Sequence, residues 1–189
     1  MNKKNVIFIT QTGVLLAILL VLQTVTKPMG QLFTGSMVNM VLIVSVLCFD
    51  IKSGIIVSIL SPFFAFFLGI GPQFLPLTPA IAIGNLSYIL VTYLLCKKIN
   101  ANNTNDVMHI YIKKIISIII GSIIKFLVLY LLVVQFICKI FINTLKPQQI
   151  TTFSAMFSIP QLITAIIGGF IACMISPILY KALNSNNQK

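Results

Sequence analysis

Long apolar runs separated by short polar punctuation dominate this chain. A membrane-crossing helix needs roughly 20 predominantly apolar residues, and by that measure the pattern predicts six spans, at about 6–26, 36–49, 53–70, 76–96, 115–138 and 150–180. The breaks between them carry turn chemistry. Asp50-Ile51-Lys52 separates the second run from the third, and the Gly/Pro-rich stretch from Gly69 to Pro76 separates the third from the fourth. The second run is short, so its helix either starts within the preceding loop or crosses with little tilt. Lys3 and Lys4 ahead of the first run have the look of a signal peptide, but residues 22–26 offer no small-residue cleavage site, and the run is taken as a mature helix. The whole chain, 1–189, is expected to form one all-α membrane domain, a single bundle of about six helices.

Composition agrees with lipid as the solvent. The 189 residues are 58% hydrophobic and 8% charged, a balance that a soluble domain of this size has no interior to hide. A net charge of +11 on a soluble chain suggests nucleic acid; here every basic residue is a lysine and most lie between the apolar runs, where they set topology. With both termini inside, the inner segments hold nine lysines (Lys3, Lys4, Lys52, Lys97, Lys98, Lys113, Lys114, Lys181 and Lys189), and the outer loops hold three (Lys27, Lys139 and Lys146). That asymmetry makes both termini cytoplasmic. Cys48, Cys96, Cys138 and Cys173 have no CxxC spacing and are expected to pack as small apolar residues.

The thirteenth lysine, Lys125, falls inside the fifth run. An ammonium at membrane depth costs a few kcal/mol and normally faces a partner or a cavity, yet no span contains an Asp or Glu to pair with it. Snorkelling or donation to backbone carbonyls is one outcome, and anchoring an anionic substrate is the other. Asn85 and Gln161 lie at a similar depth, all three about 13 to 16 Å below the outer helix ends at 1.5 Å per residue, so the three are expected to share a cavity. Pro62, Pro79 and Pro160 free backbone carbonyls near those outer ends. Small residues recur at four-residue spacing, as Gly13 and Ala17 in the first run and as Gly168, Ala172 and Ser176 in the last, which favours close helix contact inside the bundle or with a membrane partner.

Several functions are disfavoured. There is no P-loop, no intramembrane carboxylate to relay protons, and no HExxH, GxSxG or paired-carboxylate arrangement. The single histidine, His109, lies in the 97–114 segment. The chain is expected to be no enzyme and to need no cofactor or metal.

The order of Gly13 and Ala17, of Gly35-Ser36-Met37-Val38-Asn39, of Ser61-Pro62 through Gly71-Pro72, and of Pro79 through Gly84-Asn85 along six spans resembles the substrate-specificity (S) component of an energy-coupling factor (ECF) vitamin transporter. The resemblance covers nearly the whole chain. It implies a high-affinity substrate-binding subunit of an ATP-driven importer in the bacterial plasma membrane. Its first helix docks on a transmembrane coupling subunit, through which two cytoplasmic ATPases act. Gly13 stands where that docking motif has its first alanine, with Ala17 second. It also implies a vitamin pocket open to the outside and covered by the loop after the first helix, here 27–35. The expected substrate contacts are Lys125, Asn85, Gln161, Asn39, Tyr130 and Phe33, with Phe74 as a further aromatic contact; riboflavin, folate, pantothenate, pyridoxine-like and thiamine-precursor ligands stay open. The alternative is a self-sufficient secondary carrier or facilitator, and a membrane enzyme or structural factor is a third possibility.

The lysine asymmetry is tested by impermeant labelling of single cysteines in a cysteine-free background. Asn103→Cys should stay unlabelled in intact cells and react after permeabilisation; labelling from outside would reverse the orientation.

Overall fold

The computed structural model of this chain describes residues 3–100 and 107–185, and the regular structure among them is entirely helical. Helix α1 covers Lys3–Thr26, and a 3-10 turn at Lys27–Met29 leads into α2, Gln31–Cys48, and α3, Ile51–Phe67. Helix α4 covers Leu77–Asn100. Helix α5, Val107–Leu129, continues through a π-helical stretch, Tyr130–Ile137, into the last turn α6, Cys138–Ile140. Two helices complete the chain, α7 at Pro147–Met156 and α8 at Ile159–Ser185. Five stretches are long and apolar enough to cross a membrane, and α3 adds a shorter apolar one. Asp106, Asn103 and the side chain of His109 lie outside what the structure describes.

Three boundaries differ from expectation. The second helix starts at Gln31 rather than about Ser36, because Gly30 takes φ 87° and its carbonyl accepts the Thr34 amide, so the helix begins within the stretch expected to be a loop. The fifth helix extends past both ends of 115–138. The last run, 150–180, is two helices: α7 stops at Met156, and Pro160 opens α8 in the first turn, where its missing N–H costs nothing.

Helix α2 organises the bundle. Residues Val41, Leu42, Ile43, Val44, Ser45 and Val46 are consecutive and all buried, which happens only when a helix is enclosed on every side. Helix α2 packs on α8, α1, α3 and α4; the outer chain of neighbours runs α1, α3, α4, α5, α8. Close approach is built on glycine. A Cβ on Gly168 of α8 would fall 2.7 Å from the Met40 amide nitrogen of α2, so the expected small-residue ridge of α8, with Ala172 and Ser176 buried, lies within the bundle.

The α1 ridge behaves oppositely. Thr12, Leu15, Leu19, Gln23 and Thr26 form the buried stripe, and Thr12 Oγ1 donates to Ser53 Oγ of α3 at 2.9 Å. Gly13 and Ala17 are exposed, and among the described residues no other part of the bundle lies within 4 Å of a Cβ placed on Gly13. Replacing each glycine by valine separates the two ridges. Gly168→Val should destabilise the solubilised protein by about 2 kcal/mol or more through overpacking, whereas Gly13→Val should stay within about 0.5 kcal/mol of wild type; thermal unfolding in detergent reads both.

Candidate functional site

Alternating helix direction brings the C-terminal ends of α1 and α3, the N-terminal ends of α2, α4 and α8, and the α7–α8 junction to one end of the bundle, opposite Lys3 and Ser185. A cavity of about 230 Å³ opens there, lined by parts of all of these and by Lys125 of α5. Its walls are mainly apolar, with Val38, Pro62, Ala65, Phe66, Ile81 and Phe157 among them.

Lys125 is 3% exposed, and its Nζ donates to Asn39 Oδ1 and Asn85 Oδ1, each at 2.6 Å. It thus neither snorkels nor relies on backbone carbonyls. Asn39 Nδ2 in turn donates to Thr164 Oγ1 at 3.3 Å, and Thr164 Oγ1 donates to the Gln161 carbonyl at 3.2 Å, so the ammonium ties α5 to α2, α4 and α8. The Tyr88 ring lies 5.5 Å from Lys125 Nζ, on the inner side of Asn85 along α4, and adds a cation–π contact. Tyr88 is fully buried and donates its hydroxyl to the Ala165 carbonyl at 2.7 Å; Gly121 and Gly169 leave the room its ring and hydroxyl occupy. It closes the floor beneath the lysine.

Among the described residues no carboxylate lies against this ammonium. Asp50, one of two acidic residues in the chain, caps α3 at the other end of the bundle by accepting the Lys52 amide. Two asparagine dipoles occupy two of the three ammonium protons. With both oxygens turned to the lysine, Asn85 Nδ2 makes no hydrogen bond among the described residues. The third ammonium proton and that amide are two donors suited to a carboxylate or phosphate oxygen pair.

The rim is strapped rather than open. Lys27 Nζ donates to the Gly69 carbonyl at 2.8 Å, and Thr34 Oγ1 donates to the Thr26 carbonyl at 2.9 Å. The Met156 carbonyl, at the end of α7, accepts Gln31 Nε2 at 2.6 Å and Gln161 Nε2 at 3.3 Å. The 27–35 segment expected as a loop lid is therefore a 3-10 turn and the first turn of α2, although Lys27, Gly30 and Gln31 do line the cavity.

Among the residues expected at the site, Lys125, Asn85, Asn39 and Gln161 share this lining. Phe33 and Tyr130 do not. Phe33 is 53% exposed on the outer surface, and Tyr130 accepts a hydrogen bond from Gln135 Nε2 within the π-helical stretch. Phe74 packs instead against Phe141 and Phe153 in the outer core, with ring centroids 5.3 and 6.1 Å away. Gln23, Ser61 and Thr78 line the cavity without having been singled out; a glutamine in the last turns of the first span and a serine directly before Pro62 were the available signals.

Residues 8–180 match the family described as ECF transporter, substrate-specific component. The chain belongs to that family. No curated protein and no solved structure matched it. This S component is a multi-pass membrane subunit that gives a transporter its substrate specificity, not an enzyme, and its family works with an energy-coupling module and ATPases in the membrane.

The polar cluster should act as a unit in the S component. Asn85→Leu should cost about 1.5 to 3 kcal/mol of unfolding stability, the range for a hydrogen bond to a charged group, and less than about 1 kcal/mol in a Lys125→Met background, where no ammonium remains to be served. A ligand-free thermal double-mutant cycle measures this.

Proposed function

We propose that this S component captures a small anionic micronutrient of the vitamin type from outside a bacterial cell and delivers it with an ATP-driven coupling module. The observation that carries the reading is Lys125: a buried ammonium with no carboxylate partner, at the floor of a cavity, with donors left over. An anionic ligand group supplies the missing charge in surroundings too apolar for water to do so. The lysine distribution supports an outward-facing mouth, since the cavity lies at the end away from both termini. The exposed ridge of Gly13 and Ala17 supports α1 as the docking helix, because small side chains in lipid allow close backbone approach and the described residues leave both exposed.

Reconstitution with and without an energy-coupling module tests the transport role. Uptake should require the module and ATP; uptake by the chain alone would make it a self-sufficient carrier. Lys125→Met should weaken binding of the copurifying ligand, identified by mass spectrometry, by about ten- to a hundredfold, or roughly 1.5 to 3 kcal/mol. Unaltered affinity in a folded Lys125→Met protein would remove the anion assignment. Gly13→Leu with Ala17→Leu should abolish coupled uptake and leave binding to the solitary subunit intact.

A further inference from the structure

We infer that Gln23 of α1 and Ser61 of α3 form a second polar subsite in the same cavity, one that takes a neutral hydroxyl or N–H group at the other end of the ligand whose anionic end lies at Lys125. This rests on the anion-binding reading above and extends it to the shape of the ligand.

Three buried side-chain atoms among the described residues lack a hydrogen-bond partner: Gln23 Oε1, Ser61 Oγ and Thr92 Oγ1. A buried polar atom left unpaired is costly, and native structures keep few of them without a reason. Packing accounts for Thr92, which sits in the tight α4–α5 contact where Gly121 makes room for its hydroxyl. The other two line the cavity. Gln23 is 8% exposed and Ser61 1%, so bulk water does not serve them. Elsewhere on the lining, Gln31, Thr34, Gln161 and Lys125 all have partners. The fully buried unpaired atoms of the lining are thus both on the wall formed by α1 and α3, which pack against each other, apart from the spare donors of Lys125 and Asn85.

The chemistry of that wall is acceptor-rich. Gln23 contributes an unpaired carbonyl oxygen, and Ser61 a hydroxyl that accepts as well as donates. A ligand group placed there must donate to satisfy Gln23 Oε1. A cationic group is disfavoured, because no carboxylate faces this wall and Lys27 stands at its rim. The rest of the lining is mainly apolar, with Pro62, Ala65 and Ile81 part of it. The ligand class is accordingly a small acid that also carries a neutral hydrogen-bond donor, rather than a zwitterion.

Binding of four acids to the purified full chain, read by calorimetry and thermal shift, tests this. Pantothenate carries hydroxyls, biotin ureido N–H groups and folate pterin N–H groups away from the carboxylate; nicotinate carries no such donor. At least one donor-bearing acid should bind, and more tightly than nicotinate. Gln23→Leu and Ser61→Ala should each weaken that acid about tenfold, while the ligand-free melting temperature holds or rises, because an unpaired buried atom has been removed. Full affinity in both variants, with Lys125→Met still losing the acid, overturns the second subsite and leaves the anion reading standing. Lowered ligand-free stability in both variants makes the pair structural and also overturns it. Nicotinate binding as tightly as the others removes the donor requirement, and failure of all four acids to bind the wild-type chain overturns both readings.

Discussion

Hydrocarbon offers no hydrogen bonds, so every polar group within the bundle must be satisfied by the chain itself or by what the chain holds. The interior follows this rule with little slack. Beside Pro177 a side chain steps in, Ser176 Oγ donating to the Cys173 carbonyl at 3.0 Å, and two glutamines serve the Met156 carbonyl at the end of α7. The Tyr88 hydroxyl finds the Ala165 carbonyl, and the Lys125 ammonium finds two asparagine oxygens. Against so complete a pairing, the incomplete positions acquire meaning, and apart from Thr92 they gather in one cavity.

The enclosed helix α2 makes that cavity possible. Its middle, from Val41 to Val46, is packed on all sides, while its first three turns carry Gln31, Thr34 and Asn39 toward the open end. Because Gly168 lets α8 lie against the α2 backbone, Asn39 and Thr164 meet directly, and the asparagine oxygen is fixed toward the lysine. A rigid inner half thus supports a polar outer half, which is how a preformed binding site keeps its shape without water.

The membrane class, the number of apolar stretches and the placing of Lys125 inside a span were legible in the sequence because lipid imposes length and charge rules that a single chain displays openly. Asn85 and Gln161 were legible from depth alone. Which way a residue faces was not. Phe33 and Tyr130 drew attention as aromatics, but aromatic identity carries no information about the helix face. Leu129, Val133 and Ile137 form one buried stripe through the π-helical stretch, and Tyr130, directly after Leu129, lies off it. The break between α7 and α8 was hidden because both halves are apolar and Pro160 fits a helix start as well as a kink. Gln23 escaped notice since a polar residue near the end of a span ordinarily belongs to the membrane interface.

The uneven helix lengths bear on how the bilayer fits this molecule. The apolar stretch Ile110–Ile140 is 31 residues, about 46 Å along its axis, whereas Ile51–Phe67 is 17 residues, about 25 Å. A hydrocarbon layer of about 30 Å matches neither. A span longer than the hydrocarbon layer is accommodated by tilting, kinking or local thickening of the bilayer, and a shorter one by thinning it. The two flanks of the cavity, Lys125 on one and Ser61 on the other, thus belong to helices of unequal length, which one bilayer thickness does not match equally.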